Sequence, residues 1–417
     1  MTTVKTLVVV AVKQKWPLFQ LDVNNAFLHG DLDKEVYMKL PPGYSLSDSS
    51  SSVPLACKLQ KSLYGGYTHS LNDYSLFTGS SGSSFVLLAV YVDDIILTGT
   101  NATEIDTLKS FLHKQFRIKD LRCLNYFLGI EVLYTDSGVL LHQKKFIHDL
   151  LRTFNCNDVS PILCLLDMTV KLKQKEGDPL PKPDEYRSLI GKLNFLTHTR
   201  PNICFAVQHL SQFMQSPCLP HMKAALHLLR CLKGIATHGI FFISNNDHSV
   251  SAFCDSDWAA CSDTRKSVSG FCVLLGGCLV AWKSKKQPVV SLSLAEAEYM
   301  AMSKVVAEVT WLSMLLSDLV VTCPSIPVYC DNQAVIHIAR NPVFHERTKH
   351  IELDCHFVRT KRADGLIHLL HTSSSTKLAD IFTKVLGGAS HHGFLPKLGI
   401  LSSSNLKGGV GIPPVPN

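Results

Sequence analysis

The sequence predicts an α/β protein, with a mixed sheet in its C-terminal part and a strand-rich α+β region before it. Beyond about residue 250, strand-like and helix-like segments follow one another as strand, hairpin, helix, strand, helix, strand, helix. That order is typical of a mixed sheet covered by helices. Before about residue 155, short β-type runs are mixed with helical stretches.

The composition, 46% apolar and only 18% charged, indicates a globular protein. Its length of 417 residues is enough for two to four domains. A formal net charge of +7 suits an anionic partner without requiring one. The fourteen cysteines include no C-x-x-C pair, which favours a reducing compartment over a zinc site or a disulfide framework. The apolar run Leu7–Val12 is too short to span a bilayer, so we expect a helix or strand inside a domain and no membrane partner.

Loop-like and helical stretches separate the first part of the chain from the last. The serine-rich residues 45–53 indicate an exposed loop, and the Pro, Gly and charge content of 173–186 indicates a linker or loop. From 186 to 234, apolar residues recur at intervals of three and four, which predicts helices. The last residues, 402–417, have the composition of a disordered tail.

The C-terminal elements can be placed one by one. Residues 249–258 (SVSAFCDSDW) alternate apolar and polar side chains as a strand does, and 269–282 indicate two strands around a Gly276-Gly277 turn. The remaining predicted elements are a long amphipathic helix at 293–319 and two strands at 326–331 and 364–371.

Two adjacent carboxylates interrupt an apolar stretch near residue 90. In AVYVDDIILTG (89–99), Asp93 and Asp94 would point to opposite faces of an extended strand, but a tight turn lets them share one site. Aspartate is a common turn residue, so for this stretch alone a solvated turn is the simpler explanation.

Four acidic residues of the C-terminal part lie near the ends of elements that pack on one sheet: Asp255, Glu298, Asp331 and Asp380. Each of them alone has the ordinary explanation of a surface charge. Together, four converging carboxylates would repel one another unless divalent cations neutralise them. Two Mg²⁺ ions held by shared carboxylates form the kind of site that cuts phosphodiester bonds.

Longer segments carry a family resemblance. They are FQLDVNNAFLHGDLDKEVYMKLPPGY (19–44), YVDD (91–94), YRSLIGKLNFLTHTRPNICFAVQHLSQF (186–213), CDSDWA, SVSGFCVLLGG, WKSKKQPVVSLSLAEAEYMA, YCDNQAVIHIARNPVFHERTKHIELDCHFVR and LADIFTK. Together they resemble the reverse transcriptase and ribonuclease H portion of copia-type LTR retrotransposon polyproteins, over nearly the whole chain. The resemblance implies a truncated polymerase palm at 1–155, a connecting, thumb-like helical region at 156–248, a ribonuclease H-like mixed-sheet α/β domain at 249–388 and a disordered tail at 389–417.

The resemblance also implies two Mg²⁺ ions in each active site. The ligands that it assigns are Asp22, Asp93 and Asp94 in the palm, and Asp255, Glu298, Asp331 and Asp380 in the nuclease. We prefer Glu298 to Glu296 because EYMA matches the family's helix segment. His371, nine positions before Asp380, corresponds to a mobile histidine that aids product release.

The chain departs from the family in its polymerase part. It starts at a stretch that is internal in the family, so we expect most of the fingers to be missing, with the basic residues that grip the triphosphate. After Gly66 a further segment, on the order of eleven residues or more, is expected to be missing under the primer–template. Smaller differences are Asn202, where the family often has Asp, and Leu292 and Leu294, where it has polar residues.

Three hypotheses for the function remain open. The first is a Mg²⁺-dependent enzyme with a defective polymerase, whose partners are an RNA–DNA hybrid, which it cuts, and an RNA template with a DNA primer. The second is a non-enzymatic nucleic-acid-binding remnant that uses the basic WKSKKQ (282–287). The third is a product that barely folds, because a palm without fingers exposes apolar surface. The expected location is the cytosol, including virus-like particles there, or the nucleus, and the oligomeric state is open.

Overall fold

A computed structural model of the chain describes residues 1–23, 36–39, 56–59, 67–81, 84–116, 118–341, 351–373 and 377–406. Its residues group into two compact units. One unit comprises Trp16–Phe127. The other comprises Met1–Lys15, with helix α1 (Thr2–Lys13), together with the residues from Leu128 onward.

The 16–127 unit is built on an antiparallel sheet with the order β4-β5-β6-β7-β1-β8. The strands of the unit are β1 (Leu18–Val23), β2 (Val36–Lys39), β3 (Ala56–Leu59), β4 (Thr68–His69), β5 (Leu76–Ser81), β6 (Ser84–Tyr91), β7 (Asp94–Gly99), β8 (Ile118–Cys123) and β9 (Tyr126–Phe127). Strands β2 and β3 pair with each other. Helix α2 (Ala102–Phe116) packs on the sheet through Ile105, Leu108 and Leu112, which recur at helical spacing.

The second unit contains two sheets and several helices. Its strands are β10 (Ile130–Thr135), β11 (Gly138–His142), β12 (His238–Ile243), β13 (Val250–Asp257), β14 (Val268–Leu275), β15 (Cys278–Lys286), β16 (Ile326–Cys330), β17 (Ile367–His371) and β18 (Ile400–Ser402). Its helices after α1 are α3 (Lys144–Thr153), α4 (Pro183–Leu196), α5 (Cys204–Ser211), α6 (Leu219–Gly234), α7 (Leu294–Asp318), α8 (Gln333–Arg340), α9 (Glu352–Ala363), α10 (Gly388–Lys397) and α11 (Ser403–Leu406), with 3-10 turns at Pro201–Ile203 and Leu378–Phe382.

A mixed sheet with the order β15-β14-β13-β16-β17 organises the C-terminal part. Its central strand, β13, is antiparallel to β14 and parallel to β16, which is parallel to β17. The β14–β15 hairpin turns at Gly276 and Gly277, whose φ angles of 53° and 76° lie in the left-handed region that glycine adopts at little cost. Helix α7 packs on β13 and β14.

The other sheet has β18, β12, β11 and β10 as antiparallel neighbours in that order. Helices α3 to α6 share one apolar cluster, which includes Leu150, Leu189 and Leu228. The apolar run Leu7–Val12 forms part of α1, although its valines favour strands, because the helix is buried against β12 and β15.

The predicted fold class is confirmed, since helices and mixed or antiparallel sheets build both units. The predicted strand at 249–258, hairpin at 276–277, helix at 293–319 and strands at 326–331 and 364–371 are all present, as β13, β14–β15, α7, β16 and β17. Within the described residues, α7 is the one helix long and apolar enough to cross a membrane. It is a core helix, because it packs on the central strands and 56% of its most apolar window is buried.

The predicted tail at 389–417 is wrong for its first part. Helices α10 and α11 and strand β18 lie there, and β18 is ordered because it pairs with β12, with Ile400 opposite Ile240. Residues 407–417, the predicted loop at 45–53 and the predicted gap after Gly66 lie outside the described residues. The domain boundaries at 155, 248 and 388 stay predictions.

Candidate active site

The three acids that were predicted as palm ligands lie together at one end of the sheet in the 16–127 unit. Asp22 on β1 pairs directly with Asp94, the first residue of β7. Val92 and Asp93 form the two-residue turn between β6 and β7, and the Val23 amide donates a hydrogen bond of 2.8 Å to the Asp93 carbonyl. The hairpin therefore brings Asp93 and Asp94 beside Asp22.

The hairpin tip combines backbone strain with like charge. Val92 has a φ of 56°, which is unfavourable for a β-branched residue, and such strain concentrates at functional sites. Burial raises the pKa of Asp94, and the neighbouring Asp22 and Asp93 add to the shift, whereas a 3.2 Å hydrogen bond from Gln20 Nε2 opposes it. Carboxylates placed in this way favour the binding of a cation.

In the second unit, the parallel pairing of β13 and β16 brings two acids to the same level of the mixed sheet. Ala252 on β13 pairs with Val328 on β16, and the two strands are parallel. The residues three positions after each of these two therefore lie side by side. These residues are Asp255, inside β13 with a side chain only 1% exposed, and Asp331, directly after β16.

One buried lysine joins three of the predicted nuclease acids. Lys377 Nζ donates a hydrogen bond to Asp255 Oδ1 and lies 2.6 Å from Asp331 Oδ1 and 3.7 Å from Glu298 Oε1. Its side chain is completely buried. Carboxylates from β13, from α7 and from the end of β16 thus converge on one ammonium nitrogen.

Glu298 and Glu296 lie in the first turns of α7 but in different environments. Glu298 is buried among the acids. Glu296 accepts a 2.7 Å hydrogen bond from the Leu292 amide, and its own amide donates to Ser293 Oγ at 3.2 Å. These bonds satisfy amides at the start of the helix, as capping residues do. The structure therefore places Glu298 in the cluster and Glu296 at the helix cap.

Asp380 reaches the cluster on the 3-10 turn Leu378–Phe382. Gly270 on β14 pairs with Asp255, and a Cβ atom on Gly270 would lie 2.7 Å from Thr383 Cγ2. Only glycine leaves room for the turn to approach so closely. Thr383 Oγ1 donates a hydrogen bond to Asp255 Oδ2, which ties the turn to the central strand.

A second lysine links Asp380 to Asp255. Lys384 Nζ lies 3.1 Å from Asp380 Oδ1 and 3.7 Å from Asp255 Oδ2. Unlike Lys377, it is partly exposed, at 39%. Four carboxylates and two ammonium groups therefore form one cluster, in which negative charge exceeds positive charge when all of them are ionised.

Burial and neighbouring charges shift several pKa values in this cluster. Burial raises the pKa of Glu298 to about 9, although Lys377 opposes the shift. Burial works against the charge on Lys377, but Asp255 and Glu298 outweigh it and hold the pKa of Lys377 above its ordinary value. Burial and the charge of Asp255 also raise the pKa of Asp380. Perturbed groups of this kind concentrate at functional sites.

His371 and Cys330 lie at the same edge of the sheet. His371 ends β17 with an exposed side chain, and its backbone pairs with Cys330, the residue before Asp331. The Sγ atom of Cys330 and one carboxylate oxygen each of Glu298 and Asp331 lie within 4.8 Å of one another, close enough to share a metal ion.

Sequence reasoning missed Cys330, Thr383 and the two lysines. Lys377 lies three residues before Asp380 and Lys384 four residues after it, spacings that bring side chains to one face of a helical turn. That spacing was the available signal for the lysines. The burial of Lys377 could not be predicted from the sequence, because lysine side chains are almost always exposed.

The oxygen atoms of the cluster are of the type that binds a divalent cation. Mg²⁺ prefers carboxylate oxygens, and four carboxylates are present. Glu298 Oε2 is buried and has no hydrogen-bond partner among the described residues, so this oxygen is available to bind a cation or a proton. The ammonium group of Lys377 lies in the space that Asp255, Glu298 and Asp331 share.

Comparison with known proteins gives one family match and similarities to solved structures. A family model described as reverse transcriptase (RNA-dependent DNA polymerase) matches residues 1–71 and 66–166. Among solved structures, that of RNase H1 from the archaeon Halobacterium salinarum aligns with 32% of this chain and 94% of its own, at 15% identity and a TM-score of 0.24.

Curated relatives match almost the whole chain. The retrovirus-related Pol polyprotein from transposon RE1 of Arabidopsis thaliana is 39% identical over 419 residues, which cover 96% of this chain and 28% of that protein. The retrovirus-related Pol polyprotein from transposon TNT 1-94 of Nicotiana tabacum is 33% identical over 417 residues, which cover 93% of this chain and 31% of that protein. The chain thus spans less than a third of the length of these relatives.

Proposed function

Because the chain belongs to the retrovirus-related Pol polyproteins of copia-type retrotransposons, we propose that it cuts the RNA strand of RNA–DNA hybrids and that its polymerase site is defective. The observation that carries this proposal is the convergence of Asp255, Glu298, Asp331 and Asp380 around two ammonium groups. Solvated surface acids would avoid the repulsion and desolvation that this arrangement entails.

The proposed cofactor is a pair of Mg²⁺ ions held by these four carboxylates. Ions bound there would activate a water molecule and stabilise the charge that develops on the scissile phosphate. The chain itself holds the carboxylate oxygens in position: Gly270 admits the turn that carries Asp380, and Thr383 orients Asp255. His371, at the same edge of the sheet, is proposed to assist product release.

The proposed substrate is a hybrid duplex gripped through its phosphates. Lys283 and Lys285 on β15 are exposed, and they belong to the basic segment WKSKKQ (282–287). Lysine contacts with phosphates give an affinity that falls as salt rises. Recognition of a hybrid relies on duplex shape and on 2′-hydroxyls rather than on base sequence.

The polymerase site is proposed to be a relic. Asp22, Asp93 and Asp94 are together, but phosphoryl transfer also needs positioning and cationic groups around the triphosphate. The resemblance places a segment that lies under the primer–template directly after Gly66, and this chain is expected to lack it. A match to the family model in two parts, 1–71 and 66–166, supports a missing segment close to Gly66.

A second candidate is a non-enzymatic nucleic-acid-binding remnant, and one observation favours it. The buried Lys377 already neutralises part of the charge of the three carboxylates that it contacts. A protein of this kind would bind hybrids in a salt-sensitive way without cutting them.

The test is cleavage of an end-labelled RNA strand by the purified chain. We expect the RNA to be cut when it is paired with DNA in the presence of Mg²⁺, and to stay intact in an RNA duplex or in EDTA. Asp255→Asn should abolish cleavage, whereas Asp364→Asn, at an exposed acid paired with Lys361, should not. Salt-sensitive binding without cleavage at any Mg²⁺ concentration would favour the remnant instead.

A further inference from the structure

The position of Lys377 has a consequence for metal binding. Its Nζ atom contacts Asp255, Asp331 and Glu298, the three acids whose oxygens would surround one cation. We propose that Lys377 is an internal cation that competes with a divalent ion for these three carboxylates, so that the ion binds only when the ammonium group leaves. This inference rests on the proposed function of the cluster as a metal site.

Geometry makes the two cations mutually exclusive. Mg²⁺ binds oxygen ligands at about 2.0–2.1 Å, and Lys377 Nζ lies 2.6 Å from Asp331 Oδ1. An ion bound to the same oxygens would lie within a few ångströms of the ammonium nitrogen. Two positive charges at that separation in a buried site repel each other strongly.

Lys377 is held in place by the same turn that carries Asp380. It directly precedes the 3-10 turn, and its side chain reaches back into the cluster with its entire length buried. The next two residues of the turn, Leu378 and Ala379, are buried as well. Displacement of the ammonium group therefore involves the flexible side chain of Lys377 and not the anchored backbone of the turn.

Competition of this kind lowers the apparent affinity for the ion. When only a fraction of molecules has the competent arrangement, the apparent dissociation constant is the intrinsic one divided by that fraction. Removal of the ammonium group removes this penalty. Lys377→Gln keeps a hydrogen-bond donor near Asp255 while it removes the charge, so its affinity for the ion should rise by about tenfold or more.

The experiment measures binding of Mn²⁺, as a spectroscopic substitute for Mg²⁺, to the full chain without nucleic acid. We expect Lys377→Gln to bind Mn²⁺ at least about tenfold more tightly than the wild type. Lys361→Gln is the matched control, because it removes the same charge from a surface pair with Asp364 and should change nothing. The double variant Lys377→Gln/Asp255→Asn should lose this increase in Mn²⁺ affinity, which would show that the ion binds at this cluster. Equal or weaker binding by Lys377→Gln overturns the proposal.

A measurement on the wild type keeps the proposal testable if Lys377→Gln does not fold. Acetylation of lysines by an amine-reactive reagent is followed by peptide mass spectrometry with and without saturating Mg²⁺. Lys377 should be protected without Mg²⁺ and modified several times faster with it, whereas Lys361 should react equally in both. Unchanged protection of Lys377 at saturating Mg²⁺ contradicts the proposal.

Binding and cleavage separate this inference from the proposed function. Tighter Mn²⁺ binding by Lys377→Gln without cleavage of hybrids would support the competition and overturn the nuclease. Cleavage of hybrids together with unchanged Mn²⁺ binding in Lys377→Gln would support the nuclease and overturn the competition. Absence of Mn²⁺ binding at these carboxylates in every variant would overturn both.

Discussion

At the scale of single residues, Glu296 and Glu298 are two positions apart on α7, yet they have unrelated environments. The Glu296 carboxylate accepts a hydrogen bond from the Leu292 amide, and Glu298 lies among the acids of the cluster. The resemblance of the segment EYMA predicts Glu298 as the ligand. The helix-capping hydrogen bonds of Glu296 are seen only in the structure.

The two glutamates give a matched pair of variants. Glu298→Gln should abolish cleavage of RNA–DNA hybrids, because it removes a ligand from the proposed metal site. Glu296→Gln should leave cleavage unchanged and lower the free energy of unfolding by about 1 kcal/mol or less, because it weakens a helix cap. Hybrid cleavage and urea unfolding are measured on both. Full cleavage by Glu298→Gln together with its loss in Glu296→Gln would reverse the assignment.

A second feature at this scale is a buried cluster of three polar side chains, those of Arg200, Asn202 and His391. The Arg200 side chain is fully buried, donates to the Ile235 carbonyl at 2.8 Å and to Asn202 Oδ1 at 3.3 Å, and forms no ion pair with any described acid. Asn202 Nδ2 lies 3.1 Å from His391 Nε2, and burial lowers the pKa of His391 to about 4. The imidazole is therefore neutral in the folded protein at neutral pH.

This neutral histidine predicts a loss of stability in acid. Because the pKa of His391 falls from 6.5 when unfolded to about 4 when folded, protons bind the unfolded chain preferentially between these values, and stability is lost as the pH falls below about 6.5. Between pH 6.5 and 5, His391 should cost about 2 kcal/mol.

Asn202→Asp, which restores the residue that the family often has, tests this account. A carboxylate there would pair with Arg200 and with protonated His391, which raises the pKa of the histidine. Urea unfolding at pH 7 and pH 5 should show that the variant loses about 2 kcal/mol less than the wild type on acidification. Parallel losses in both proteins would contradict this view of the buried cluster.

At the scale of elements, the close approach of the 3-10 turn to β14 holds the site together. Gly270→Ala should push away the turn that carries Asp380, because the new methyl group would lie 2.7 Å from Thr383 Cγ2. We expect a loss of about 1–3 kcal/mol in the free energy of unfolding and a loss of hybrid cleavage. Gly393→Ala on α10 is the control, because no atom lies within 4 Å of its added carbon. Wild-type cleavage by Gly270→Ala would show that the close approach is unimportant.

Several elements were predictable from sequence, and the exceptions have physical causes. Alternation of side chains identified β13, and Gly276-Gly277 identified the β14–β15 hairpin. The run Leu7–Val12 was ambiguous, because burial on both sides removes the periodicity that separates helix from strand. Strand β18 was missed because it has only three residues, too few to show a pattern of alternation, and it is ordered through pairing with β12.

At the scale of the whole molecule, the sequence predicts the acidic residues of both clusters but not the buried lysine of the second one. The resemblance gave the acids of both clusters, because each of them lies within a sequence motif, although their elements differ: strands, helix α7 and a 3-10 turn. It did not give Lys377, whose role depends on burial and on carboxylates at least 46 positions away in the chain. Packing between distant segments is the part that sequence patterns alone leave open.

From the proposed function we expect the whole chain to act as a nuclease and to lack polymerase activity. Asp22, Asp93 and Asp94 are the proposed metal ligands of the polymerase, but loss of positioning can remove about 7–11 kcal/mol of barrier reduction. Residual cation binding at these acids is compatible with the absence of DNA synthesis. The two activities can be followed on one substrate.

That substrate is an RNA template annealed to a DNA primer, with a different dye on each strand, incubated with the full chain, Mg²⁺ and deoxynucleoside triphosphates. We expect the RNA strand to be shortened within the hybrid while the DNA primer keeps its length. Asp255→Asn should stop the shortening, whereas Asp93→Asn should leave it unchanged. Primer extension that Asp93→Asn abolishes, or an RNA strand that remains intact at every Mg²⁺ concentration, would contradict the account.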